Sequence, residues 1–187
     1  MVLGIVGAYG QWKQARLIWG AKSARSVSIR WTLTFLFMFL AYLVQGIHAD
    51  SAVMAVQGGL RALFYLPIVM GIIAFEYGSI QRKDLLFFAV LLAGIVAMIF
   101  SEWKGAFFQA FGYLGVIMAC DQPWQIWKNK SRGRVSMTML VTFTLAVAFW
   151  MWYAWIFDDV RLFWLSLSFC VVYLFTIALW RKYRHGQ

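Results

Sequence analysis

Residues 13–31 read KQARLIWGAKSARSVSIRW, and residues 121–139 read DQPWQIWKNKSRGRVSMTM. At an offset of 108 residues, Gln14 meets Gln122, Ile18 meets Ile126 and Trp19 meets Trp127. Lys22 meets Lys130, Ser23 meets Ser131, Val27 meets Val135 and Ser28 meets Ser136. The same offset matches Gly4 with Gly112, Gly7 with Gly115, Thr34 with Thr142, Phe35 with Phe143, Tyr65 with Tyr173 and Leu66 with Leu174. A single offset held from Gly4 to Leu66 reads as an internal repeat. Repeats in a hydrophobic chain are how many transporters are built.

The surrounding composition makes this a membrane chain. Of its 187 residues 63% are hydrophobic and 13% charged, too little polar surface for a soluble domain of this size. Lys and Arg number 17 against 7 Asp and Glu. In a soluble protein that excess suggests nucleic acid. In a membrane protein it marks loops that resist translocation, so no nucleic-acid partner is expected. Cys120 and Cys170 sit in apolar runs with no zinc or disulfide spacing and read as packed thiols. The N-terminus has no basic stretch of the signal-peptide kind, and the first apolar run carries Gln11, Lys13 and Gln14.

A membrane span needs about 20 apolar residues. Seven are expected: Val2–Trp19, Ile29–Ile47, Ala52–Tyr77, Leu85–Phe100, Ala106–Trp127, Val135–Phe157 and Arg161–Trp180. The first is the least hydrophobic, and its repeat partner supports it. The fourth has no partner and returns the chain, so that two three-helix units point the same way. The expected fold is all-α, with seven transmembrane helices in a 3+1+3 arrangement of parallel repeats. The units are residues 1–80, a linker helix in 81–104, and 105–187. Lys22, Arg25 and Arg30, then Arg82 and Lys83, then Lys128, Lys130, Arg132 and Arg134, then Arg181, Lys182 and Arg184 fall on one side. The other side carries Asp50, then Glu102 with Lys104, then Asp158 and Asp159 with Arg161. The positive-inside rule then sets the N-terminus outside and the C-terminus in the cytoplasm. In a bacterial host the membrane is the inner, cell membrane.

Each repeat carries a Gln followed nine residues later by Ser and five later by another Ser. These are Gln14, Ser23 and Ser28, then Gln122, Ser131 and Ser136, with Gly133 between the last two. This pattern resembles the PQ-loop motif of the SWEET, PQ-loop and cystinosin-type membrane proteins, over most of the chain. The first copy has Arg25 or Ser26 where the motif has Gly. Lys13 and Asp121 stand where the family has Pro before Gln, and Pro123 comes one residue late. Sugar-carrying SWEETs have four gate prolines and an Asn pair. Here the prolines are Pro67 and Pro123 and the asparagine is Asn129, so the resemblance implies no sugar-type site.

Ionisable groups at membrane depth cost about 2.5–3.5 kcal/mol on insertion scales unless paired or hydrated. Lys13, Arg61, Glu76 and Asp121 are in question. Lys13 and Asp121 are repeat equivalents of opposite charge. They form either an ion pair on a substrate path, with Asp121 as proton acceptor, or a structural bridge, or they snorkel to the interface. Arg61, mid-span, either grips a substrate carboxylate or phosphate or pairs with Asp50 or Asp121. Glu76 lies near the basic loops. Tyr65 and Tyr173 are a matched pair which, in the resembled fold, would flank a central cavity. Gln11, Gln14, Gln57 and Gln122 suit either a polar solute or interhelical bonds. Trp150 and Trp152 lie deep enough for one to stack on a ring. Trp103, Trp155, Trp164 and Trp180 read as interfacial. Gly4, Gly7, Gly112 and Gly115 read as sites of close helix approach.

No Gly-rich phosphate loop or metal-ligand cluster appears, and His48 and His185 lie far apart in the layout. No cofactor is implied and an enzyme is not expected. The expected function is transport of a small polar solute by alternating access between the repeats, as a facilitator or coupled to protons. The substrate site is Gln14, Gln57, Arg61, Tyr65, Gln122, Trp150 and Tyr173. Its partners are the solute and the bilayer, with a homo-oligomer left open. The rival is a non-transporting receptor or lipid-handling protein. The nicotinamide riboside carriers and the KDEL receptor share the layout, and so illustrate both readings.

Overall fold

The computed structural model describes residues 2–25, 27–76, 81–132, 134–156 and 158–183. Ser26, Tyr77, Gly133, Phe157, Arg184 and His185 lie outside the described residues, and of Gly4 and Arg161 the backbone alone is described. The described chain is all helical: α1 Val2–Ala21, α2 Ile29–His48, α3 Ala52–Glu76, α4 Arg82–Phe100, α5 Lys104–Ala119, α6 Asp121–Asn129, α7 Met137–Ile156 and α8 Val160–Lys182. These make seven membrane spans, because α5 and α6 are one span broken at Cys120. The break has a local cause. A proline in a helix clashes with the carbonyl four residues back, which for Pro123 belongs to Ala119, the last residue of α5. Within α6, Pro123 sits in the first turn, where its missing N–H leaves nothing unpaired.

Five helices are long and apolar enough to cross a membrane by composition alone: α2, α3, α4, α7 and α8. Helix α1 falls short because Gln11, Lys13, Gln14 and Arg16 interrupt it, and the fifth span because it is split. The protein is a multi-pass membrane protein, and its unlike spans are carried by packing rather than by hydropathy.

Helix α3 lies between α1 and α2, and α8 packs against both α7 and the α5–α6 span. Across the middle, α1 packs on α7 and α2 packs on α5. Helix α4 lies outside, against α2 and α5. Close approach in the first half is set by small residues: a Cβ on Gly46 would meet the backbone of Ala55, and one on Gly58 the backbone of Leu43. Turn geometry follows the offset too. Lys22 and Lys130 end α1 and α6 at φ 49° and 48°, and Asp50 and Asp158 follow α2 and α7 at φ 51° each. These four are the non-glycine residues with positive φ among the described residues. Left-handed backbone is costly for a side chain, so its recurrence at matched places means matched turns. Cys120 is exposed rather than packed, since the break turns it to the surface. Trp180 is buried, not interfacial; its indole N–H donates to the Val135 carbonyl at 2.8 Å.

Candidate functional site

A cavity of about 410 Å³ lies between the halves, bounded by α2, α3, α5, α7 and α8. Its lining is related by the 108-residue offset. Phe35 pairs with Phe143, Met38 with Ala146, and Phe39 with Val147. One layer outward, Tyr42 pairs with Trp150, Gln57 with Leu165 and Arg61 with Phe169. The two members of each pair face one space from opposite halves. Away from the basic loops the cavity reaches exposed Gln109 and Asp159. Toward them it ends on packed rings: Phe35 stacked on Phe143 at 6.0 Å, and Phe143 edge-on to Tyr173 at 5.8 Å between centroids.

Arg61 is 9% exposed and carries the charge of this cavity's inner wall. Its guanidinium carbon lies 5.0 Å from the Phe39 ring centre and 5.5 Å from that of Phe143, within cation–π range. The group fits because residue 7 is glycine; a Cβ there would overlap the guanidinium. The offset partner repeats the device with other chemistry: a Cβ on Gly115 would lie 3.0 Å from Cζ of Phe169. Both glycines therefore make room for a side chain from the third helix of their own half, and Gly7 makes room for a charge.

Four of the seven expected substrate residues line the cavity: Gln57, Arg61, Trp150 and Tyr173. Trp152 is 59% exposed, away from it. Tyr65 is fully buried below the lining, with its ring 6.3 Å from Trp31 and 5.7 Å from Phe39. Its hydroxyl meets the Gln11 side chain, and among the described residues the Thr34 hydroxyl and the Trp31 N–H have no hydrogen-bond partner. Helices α1 and α3 run parallel here: Gly7 abuts Arg61, and Gln11 and Tyr65 follow four residues later on each. Buried polar atoms without partners are few in folded proteins, and these lie between the cavity and the basic end.

Gln14 and Gln122 lie at that end, outside the cavity. Gln14 Nε2 donates to the Arg134 carbonyl at 2.6 Å, and its Oε1 accepts from the Ser136 N–H at 2.6 Å. Gln122 Oε1 accepts from the Ser28 N–H at 3.2 Å. Each glutamine thus reaches into the opposite half and holds the residue that begins its second helix. The Arg134 N–H donates to the Arg25 carbonyl at 2.9 Å, joining the two loops. Of the arrangements open to Lys13 and Asp121, a direct ion pair is not formed. Lys13 Nζ lies over the Tyr9 and Trp12 rings at 5.5 and 5.4 Å, and Asp121 accepts from the Ser28 hydroxyl. Asp121 thus meets the opposite half, while Lys13 stays over rings of its own helix. Glu76 accepts from the Ser23 hydroxyl at 3.3 Å, in the neighbouring basic loop.

Tyr42, Gln109, Asp159 and Ser166 line the cavity and are not among the site residues expected from the sequence. Tyr42 was within reach, as the offset partner of Trp150. Nothing in the local pattern marks the other three.

No protein-family model and no curated protein sequence matches the chain. Among solved structures, the chain is similar to a eukaryotic SWEET transporter determined at 3.7 Å resolution. The identity is 14%, the alignment covers 98% of this chain and 99% of that one, and the TM-score is 0.54. The likeness establishes a SWEET-like seven-helix fold.

Proposed function

We propose that this protein is a membrane carrier that moves a small polar solute by alternating access between two three-helix repeats, residues 1–80 and 105–187, joined by a linker helix. The observation that carries this reading is the pairing of cavity-lining residues at one offset. A site on the axis between two like halves can be exposed to either side by rocking one against the other. In this reading Arg61 and Gln57 hold the solute, Trp150 and Tyr173 wall it, and an anionic group meets the guanidinium. Gln11, Thr34 and Tyr65 continue the polar route inward. Gln14 and Gln122 close the basic end, so they act as gate residues more than as binding residues. Asp121 belongs to that gate through Ser28, where its protonation would couple transport to pH. The degenerate PQ-type motifs supply these gate contacts, and the basic end faces the cytoplasm of the cell membrane.

The test is uptake by proteoliposomes holding this protein alone, against a panel of organic acids, amino acids, nucleosides and sugars, with and without a pH gradient. Saturable accumulation of at least one solute, strongest for anionic ones and lost in Arg61→Gln, is expected. Saturable binding without flux for every solute that binds would replace the carrier with a receptor.

A further inference from the structure

A second concavity, of about 370 Å³, lies on the outer surface between α6 and α8, away from the seam between the halves. Its walls include Trp124, Trp127, Phe175 and Leu179, with Cys120 at the helix break. The offset explains why it occurs in this half. Trp19, partner of Trp127, donates its indole N–H to the Pro67 carbonyl at 2.9 Å and rests beside Gly71. That indole occupies the α1–α3 seam. In the other half Phe175 stands for Pro67 and Leu179 for Gly71, so that seam lacks the small residues that admit the indole. Trp127 packs against Trp124 instead, the rings tilted and their centres 5.0 Å apart. The groove is left beside them.

One end of this groove is basic. Lys130 Nζ lies 4.6 Å over the Trp127 ring and donates to the Tyr183 hydroxyl at 3.3 Å. Exposed Lys128 ends α6, and exposed Arg181 and Lys182 end α8. The nearest acid on α6, Asp121, is at its far end and bonded to Ser28. From Val171 to Lys182, α8 rises about 16 Å at 1.5 Å per residue. That is half of the roughly 30 Å hydrocarbon core. A leaflet-deep apolar slot ending in cations has the shape and charge of an anionic phospholipid. We infer that the α6–α8 groove binds one such lipid, its acyl chain along Trp124, Phe175 and Leu179 and its phosphate on Lys130 with Lys128 and Lys182. Basic pockets beside transmembrane helices select anionic headgroups in this way. The site is independent of the carrier reading and holds for a receptor equally.

The experiment is native mass spectrometry of the full chain in detergent, titrated with dioleoyl phosphatidylglycerol or dioleoyl phosphatidylcholine. The glycerol lipid is expected to bind at least about fivefold more tightly, the value of one cation near the headgroup. Lys128→Gln/Lys130→Gln/Lys182→Gln should bring the two lipids level. Arg25→Gln/Arg82→Gln/Lys83→Gln removes as much charge from the same face of the membrane and should keep the preference. On a Cys170→Ser background, phosphatidylglycerol should slow maleimide labelling of Cys120, and inorganic phosphate should not. Equal binding of the two lipids by the native chain, equal loss in both triple variants, or slowing by phosphate alone would each overturn the site.

Discussion

Arg61 and Phe169 occupy matching places in the two halves, each in a notch left by a glycine of the first helix, and they differ completely in chemistry. The adjoining pair repeats the contrast, with Gln57 facing Leu165. The backbone geometry is shared, down to the left-handed turns at Lys22, Lys130, Asp50 and Asp158. The shared part builds the cavity and the loop contacts at its basic end, and the unshared part gives its two walls different chemistry. One wall offers a cation and an amide, and the facing wall offers rings. On the proposed carrier reading, an occupant with one charged end and one apolar face would match both walls.

The largest expected effect separates Arg61 from Phe169. A hydrogen bond to a charged group is worth about 1.5–3 kcal/mol. Arg61→Gln should therefore raise the half-saturating concentration of an anionic solute by about ten- to a hundredfold. Phe169→Leu should change it by less than about tenfold, the effect of a reshaped apolar contact. Equal effects would remove the asymmetry.

The glycines come next. Gly7→Ala drives a methyl into the guanidinium, and overpacking of this kind costs about 1–3 kcal/mol. Uptake should fall with stability. Gly115→Ala meets a ring edge at 3.0 Å and the Met38 sulfur at 3.1 Å, both able to shift. It should lower the melting temperature less than Gly7→Ala does, a difference read by thermal unfolding in detergent.

The smallest expected difference between the halves sits at the basic end. Gln14→Ala leaves the buried Ser136 N–H without its acceptor, a loss of about 1–3 kcal/mol. Gln122→Ala does the same to the Ser28 N–H, whose bond is longer at 3.2 Å. Both should weaken closure at the basic end, Gln14→Ala more, seen as faster hydrogen exchange at Ser136 than at Ser28.

The fold was legible because two signals agree. Apolar length marks six spans in the sequence, Ala106–Trp127 among them, and the offset to that fifth span supplies α1. The helix break at Cys120 was written in Pro123, but its effect on the cysteine's exposure depends on which way the broken ends turn. Direction is the quantity the sequence withholds. These helices are apolar nearly all round, so no stripe tells which face meets a neighbour. Tyr65 and Tyr173 are equivalent by offset, yet Tyr173 reaches the cavity and Tyr65 stops below it, since Arg61 already occupies the space above. Gln14 and Gln122 were visible as polar groups at depth. Their use, holding the opposite half's loop, depends on a contact more than 90 residues away in sequence. In the sequence Gly7 reads as a close-approach glycine; its task shows only with Arg61 beside it.

The most direct test is the accessibility of a cavity residue from both sides of the membrane. Val147→Cys, in a background with Cys120→Ser and Cys170→Ser, places one thiol in the chamber wall opposite Phe39. An impermeant thiol reagent should modify it when applied to either face of oriented vesicles, and a transported solute should slow both reactions. Reaction from the face away from the basic loops alone, unchanged by any solute and by Gln14→Ala, would contradict alternating access.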